Sequence, residues 1–138
     1  MLFSLNFKSG LPVYLQLAEQ VKAAAASGAL RRGEPLPGIR PLAEELRVNR
    51  NTVAKAYAEL EAQGVVENVH GKGCFLADGR ASPLRKEARH RLLVREIDQA
   101  VVQAHHLQVP PAEFLALVRE RLDALAERQR EHEEVAAK

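Results

Sequence analysis

Leu36-Pro37-Gly38-Ile39-Arg40-Pro41-Leu42-Ala43-Glu44-Glu45-Leu46-Arg47-Val48-Asn49-Arg50-Asn51-Thr52-Val53-Ala54-Lys55-Ala56-Tyr57 is the stretch that decides how this chain folds. Ile39, Leu42, Ala43 and Leu46 recur at helical spacing and predict a short helix over residues 39–46 with those four side chains buried. Val48 should pack into the turn, and Asn49 is a good N-cap for a second helix over residues 50–63. On that helix Val53, Ala56, Tyr57 and Leu60 share one face. Asn51 and Lys55 lie opposite, with Thr52 at the margin. Arg50 falls in the first turn, where a long side chain can swing outward. One face therefore packs, while the N-terminal turns present polar and basic groups.

The residues on either side extend this unit. Downstream, 65–69 and 74–77 are rich in Val, Phe and Leu and predict two strands. Their tip, His70-Gly71-Lys72-Gly73, has glycines that permit positive φ and close backbone approach. Upstream, Tyr14, Leu17, Ala18, Val21 and Ala25 form one face of a helix over residues 12–27. Pro12 suits its first turn, and Gly28 its stop. Residues 30–37 read as a loop held by Gly33, Pro35 and Pro37. A helix-turn-helix followed by a basic hairpin is a device for gripping DNA through the major groove and the adjoining backbone.

Asp78-Gly79-Arg80-Ala81-Ser82-Pro83 breaks the composition and marks a boundary, giving expected domains 1–79 and 80–138. Beyond it two long helices are expected, at 84–107 and 111–134, parted by Val109-Pro110-Pro111 because proline is excluded from a helix interior. Leu93, Ile97, Val101 and Ala104 make a stripe on the first. Leu115, Val118, Leu122 and Leu125 alternate spacings of 3 and 4 on the second, as coiled-coil seam positions do. Two amphipathic helices bury only one side each, so a second copy of the chain is the expected cover and these stripes the expected dimer interface. An intrachain core and an effector cavity are the alternatives, although no polar constellation supports a cavity. The fold class is mostly α with a small β-hairpin.

Composition narrows the function. The 138 residues hold 20 Lys/Arg and 18 Asp/Glu, a net charge of +2, so any nucleic-acid site must be a local arrangement and not a basic body. No run of about 20 apolar residues could span a bilayer. Residues Met1 to Lys8 lack the basic start and apolar middle of a secretory signal. A cytoplasmic protein without a membrane partner is expected. The single cysteine, Cys74, cannot form an internal disulfide and reads as a half-buried strand residue. His105 and His106 point about 100° apart on a helix and do not make one metal site. His90 and His132 read as surface residues. No Ser/His/Asp constellation, nucleotide loop or carboxylate pair is visible, so neither catalysis nor a cofactor or metal is expected.

In this order, Pro12-Val13-Tyr14, Gly28-Ala29-Leu30, Gly33-Glu34, Leu36-Pro37, Arg40, Leu42-Ala43, Arg50-Asn51-Thr52-Val53, Lys55-Ala56-Tyr57, Leu60-Glu61, Gly64 and Gly71-Lys72-Gly73 resemble the GntR family of bacterial transcription regulators. The resemblance covers about residues 12–77. It implies a winged helix-turn-helix that binds an inverted-repeat operator as a homodimer. It also implies DNA contacts at Arg40, Arg50, Asn51, Thr52 and Lys55, and at the wing tip His70, Gly71, Lys72 and Gly73. The two-helix tail opening its second helix with Pro111-Ala112-Glu113-Phe114 is similar to the YtrA-like branch. That branch implies a repressor, often of ABC-transporter genes, and leaves an unidentified small-molecule effector among the partners. Three positions depart from the family pattern. Gly38 replaces a capping Ser, Pro41 enters the first turn, and Arg47 replaces a turn glycine and so should take positive φ. The competing reading, kept alive by the weak net charge, is a dimeric helical adaptor whose winged domain binds protein.

Overall fold

The computed structural model describes residues 3–77 and 86–137. In chain order it contains α1 (Val13–Ser27), α2 (Ile39–Leu46), α3 (Arg50–Ala62), β1 (Val66–Val69), β2 (Gly73–Leu76), α4 (Lys86–His106) and α5 (Pro111–Ala137). The chain separates into two compact units, Met1–Pro83 and Leu84–Lys138. The composition break at 78–83 and the start of the fourth predicted helix, 84–85, lie outside the described residues. The mostly helical architecture with one antiparallel hairpin is the predicted class.

In the first unit α1 and α2 both pack on α3, because each presents one apolar face. Leu17, Val21, Leu42, Val53 and Leu60 are almost fully buried at the centre, each worth roughly 1.5–3 kcal/mol as removed apolar surface. Val66 and Leu76 close this core from the hairpin. Phe3, which the sequence reading left out of the core, is buried in it too. Two glutamines one turn apart on α1 hold the segment that carries Phe3. The Gln16 amide donates to the carbonyls of Asn6 and Leu11 and accepts from the Asn6 N–H. Gln20 accepts from the Ser4 N–H and donates back to its carbonyl.

The turn after α2 ends on Arg47 at φ 58, ψ 47, the left-handed conformation expected where glycine is usual. The Val48 N–H reaches back to Ala43 O at 3.0 Å, closing a Schellman-type end, and Val48 packs on the core. Gly38 gives α2 no side-chain cap.

Two expectations are corrected. Residues 33–36 are not a free loop. The N–H groups of Gly33 and Leu36 donate to the carbonyls of Leu76 and Cys74, and the Leu76 N–H donates to Glu34 O. This segment therefore pairs with the outer side of β2, satisfying an edge that would otherwise be bare. Ile39 is not buried but exposed. As the first residue of α2 it precedes the buried turn of Leu42, Ala43 and Leu46 and faces an open cleft.

In the second unit neither α4 nor α5 buries a residue. The predicted stripes lie open: Leu93, Ile97, Val101, Leu115, Val118 and Leu122 are all exposed, with Leu115 at 66% and Leu122 at 57%, and Leu125 is half-buried. Among the described residues the tail has no buried core, which was one of the sequence-level alternatives. Helix α5 also runs to Ala137, beyond the predicted 134. No helix among the described residues is long and apolar enough to cross a membrane.

Candidate nucleic-acid interface

The site is built on the start of α3. Asn49 is extended and its Oδ1 accepts from the Asn51 N–H at 2.8 Å, satisfying one of the unpaired donors of the first turn. The helix therefore begins sharply at Arg50. Val53, Ala56, Tyr57 and Leu60 are buried, which fixes the rotation of the helix and leaves Arg50, Asn51 and Lys55 exposed, with Thr52 half-buried. The sequence-level assignment of faces and the structure agree at every one of these positions.

Tyr57 locks α3 to the segment before α2. Its hydroxyl donates to Pro37 O at 2.8 Å. Burial, with the nearby Cys74 second, pushes its pKa well above the usual tyrosine value, so the proton stays in that bond. Arg40, exposed on α2 three residues beyond Pro37, is thereby set in fixed relation to α3.

The wing tip is a turn closed by the Lys72 N–H on Val69 O at 3.0 Å, within the hairpin that pairs Val69 with Gly73. Gly71 sits at φ 79, the positive value a type II turn needs at its third position, and Gly73 at φ 113. A Cβ at either would meet nothing, so conformation and not space selects glycine. His70 and Lys72 project from this tip and are exposed. An open cleft of about 480 Å³ joins the wing to the helices, with Gly38, Ile39 and Ala54 on one side and Asn68, Lys72 and Gly73 on the other.

Of the residues the sequence singled out for DNA contact, only Lys72 and Gly73 line this cleft, against the flank of α3 at Ala54, Ala58 and Glu61; Arg50, Asn51, Thr52 and Lys55 stand outside it on α3, and Arg40 on the adjoining helix. Among the described residues the one ion pair is Arg130 with Glu127, so no carboxylate neutralises Arg40, Arg50, Lys55 or Lys72. Lys55 has a partner that the sequence did not suggest: its Nζ lies 4.2 Å from the centroid of the Tyr14 ring on α1. The signal was available only weakly, because Tyr14 was assigned to the buried face of α1 and is in fact half-buried at its edge. Cys74 is half-buried in β2, and burial, then Glu61, raises its pKa, which favours the neutral thiol. His105 and His106 meet edge to face, and no group of three metal-ligating residues occurs among the described residues.

Comparison with known proteins gives this geometry a context. The family described as bacterial regulatory proteins, gntR family, matches residues 13–76. The HTH-type transcriptional repressor YtrA of Bacillus subtilis (strain 168) is 32% identical over 102 residues, covering 74% of this chain and 78% of that protein. The crystal structure of a transcriptional antiterminator from Listeria monocytogenes EGD-e is similar over 91% of this chain and 92% of its own, with a TM-score of 0.78 and 33% identity. The DNA-binding domain of AraR, solved in complex with the operator ORX1, matches 56% of this chain and 99% of its own, with a TM-score of 0.51 and 27% identity.

Proposed function

The chain belongs to the GntR family of bacterial transcription regulators, carries that family's DNA-binding domain and has its non-enzymatic role; on that premise we propose that it is a cytoplasmic repressor that binds an inverted-repeat operator as a homodimer. The observation that carries the proposal is the set of exposed, unneutralised Arg40, Arg50 and Lys72 side chains around the start of α3 and the wing. Helix α3 enters the major groove by its N-terminal turns. Arg50 and Asn51 read base edges there, where arginine favours guanine and asparagine adenine. Arg40, Thr52 and Lys55 hold phosphates, and His70, Gly71, Lys72 and Gly73 lie at the minor groove.

The domains act as residues 1–79 for DNA binding and 80–138 for dimerisation. Support for the second assignment is the open stripe Leu93, Ile97, Val101, Leu115, Val118, Leu122 and Leu125, which a second copy covers. Two winged domains then meet successive major grooves about one helical turn apart. Occupancy of a promoter is enough to repress it, and genes for ABC transporters are the target class that the YtrA-like tail suggests. An effector is not needed for this mechanism.

Sequencing of genomic fragments captured by the protein, followed by titration of the recovered site, tests the reading. Expected are an inverted repeat and an affinity that falls steeply with salt, since each phosphate contact releases counterions. Binding that ignores both sequence and salt would favour the protein-binding adaptor instead.

A further inference from the structure

Lys55 is an exposed cation on α3, yet its ammonium is not free to sweep the solvent: it rests 4.2 Å from the centre of the Tyr14 ring, inside the range of a cation–π contact. Tyr14 is placed for this by the core. It stands in the first turn of α1, half-buried, with its body packed against the buried cluster that joins α1 to α3. The ring therefore belongs to the rigid part of the unit, and Lys55, four residues after Asn51, is tethered to it from the proposed reading helix.

We propose that Tyr14 is a positioning residue for DNA binding: its ring holds the Lys55 ammonium, already extended over α1, as a contact for a backbone phosphate. The proposal rests on the DNA-binding reading above and adds to it a residue that touches no base. The chemistry favours it in two ways. A lysine carries four rotatable carbons and loses much side-chain freedom when a phosphate fixes it, so a lysine held beforehand binds at lower entropic cost. The ring occupies one side of the ammonium only, and the N–H donors turned away from it are available to reach a phosphate oxygen. Among the described residues no carboxylate oxygen lies within 4.0 Å of that ammonium.

The test uses the full chain, a random-sequence duplex DNA and four variants: Tyr14→Phe, Tyr14→Leu, Lys55→Ala and Tyr14→Leu with Lys55→Ala. Tyr14→Phe keeps the ring and should bind as the wild type does. Tyr14→Leu keeps apolar packing but loses the π face, and should bind about two- to five-fold more weakly. Lys55→Ala should lower the salt slope by about 1. In that background Tyr14→Leu should add nothing, because the ring then has no cation to hold. The side-chain methylene protons of Lys55 should be shifted upfield by the ring in the wild type and in Tyr14→Phe, and return to ordinary values in Tyr14→Leu. Absence of that shift in the wild type overturns the proposal whether or not any variant folds. So does equal or tighter binding by Tyr14→Leu, or a loss of the same size with and without Lys55. A wild type that fails to bind the duplex, or binds without regard to salt, overturns the DNA-binding reading itself, before any variant is compared.

Discussion

Arg47 takes on a backbone conformation that L-residues other than Asn and Asp rarely adopt, φ 58 and ψ 47, because the chain must reverse between α2 and α3 within three residues. Its side chain is exposed, so nothing but the turn requires an arginine there. A left-handed residue with a Cβ costs roughly 1–2 kcal/mol, while glycine gives back part of that gain through the freer unfolded chain. Arg47→Gly is therefore expected to stabilise the protein by about 0.5–1 kcal/mol, which appears as a rise of a few degrees in the thermal midpoint. Arg50 is the opposite case: it is exposed, three residues further on, and contributes no packing. Arg50→Ala should leave the melting temperature unchanged. If the arginine pairs with a base as proposed, operator affinity should fall by ~1–3 kcal/mol with relaxed preference at one base pair. Unchanged affinity for the recovered operator would remove Arg50 from the reading set.

The elements written in the sequence are those whose own periodicity specifies them. Val53, Ala56, Tyr57 and Leu60 are spaced for one helical face and occupy one, and Asn49 caps the helix its side chain is suited to cap. What escaped is what two distant segments decide together. Residues 33–36 carry a glycine and a proline and have no strand periodicity, yet they pair with β2 because its outer edge needs partners. Phe3 is buried in a segment whose backbone is bound by Gln16 and Gln20, thirteen and seventeen residues later in the chain. Ile39 is spaced as a core residue but opens the helix, three positions before its first buried residue, Leu42. The candidate site was more legible than these, since exposed side chains follow directly from which face of α3 is apolar; the Lys55–Tyr14 contact was not, because it joins two helices. Tyr57 measures how firmly α3 is tied to its neighbours. Tyr57→Phe deletes the bond to Pro37 O and should cost about 0.5–1.5 kcal/mol in denaturant titration. The folded hydroxyl has a raised pKa, so the native state holds its proton where the unfolded chain has lost it. That contribution to stability is complete below about pH 10 and is lost as pH rises toward the raised folded value. Wild-type stability should thus decline above about pH 10, and Tyr57→Phe should decline less steeply.

The two units differ in a way that sets how the whole molecule must be tested. The first has a core of its own, from Phe3 to Leu76. The second has two long helices and, among the described residues, no buried one, although Leu93, Ile97, Leu115 and Leu122 stand on them. Isolated helices are marginal in water even at favourable composition, and most of their stability comes from packing an apolar face. In the proposed dimer a second copy supplies that packing, and each covered leucine is worth roughly 1.5–3 kcal/mol. A carboxylate placed in such a seam loses the packing and, by two-fold symmetry, meets its own copy across the interface. Leu122→Glu is accordingly expected to sediment as a monomer. Because the core of the first unit owes nothing to Leu122, the winged domain should keep its helical signal and its fold. One winged domain then meets one half-site, and operator affinity should fall far more than any single contact explains, since the second binding event is no longer intramolecular. Affinity for a random duplex, which depends on phosphates under one domain, should fall much less. Sedimentation and the two titrations together separate the causes. A Leu122→Glu protein that is still a dimer would show that the stripe is not the interface, and a monomer that holds the operator as tightly as the wild type would show that dimerisation is not what binding requires.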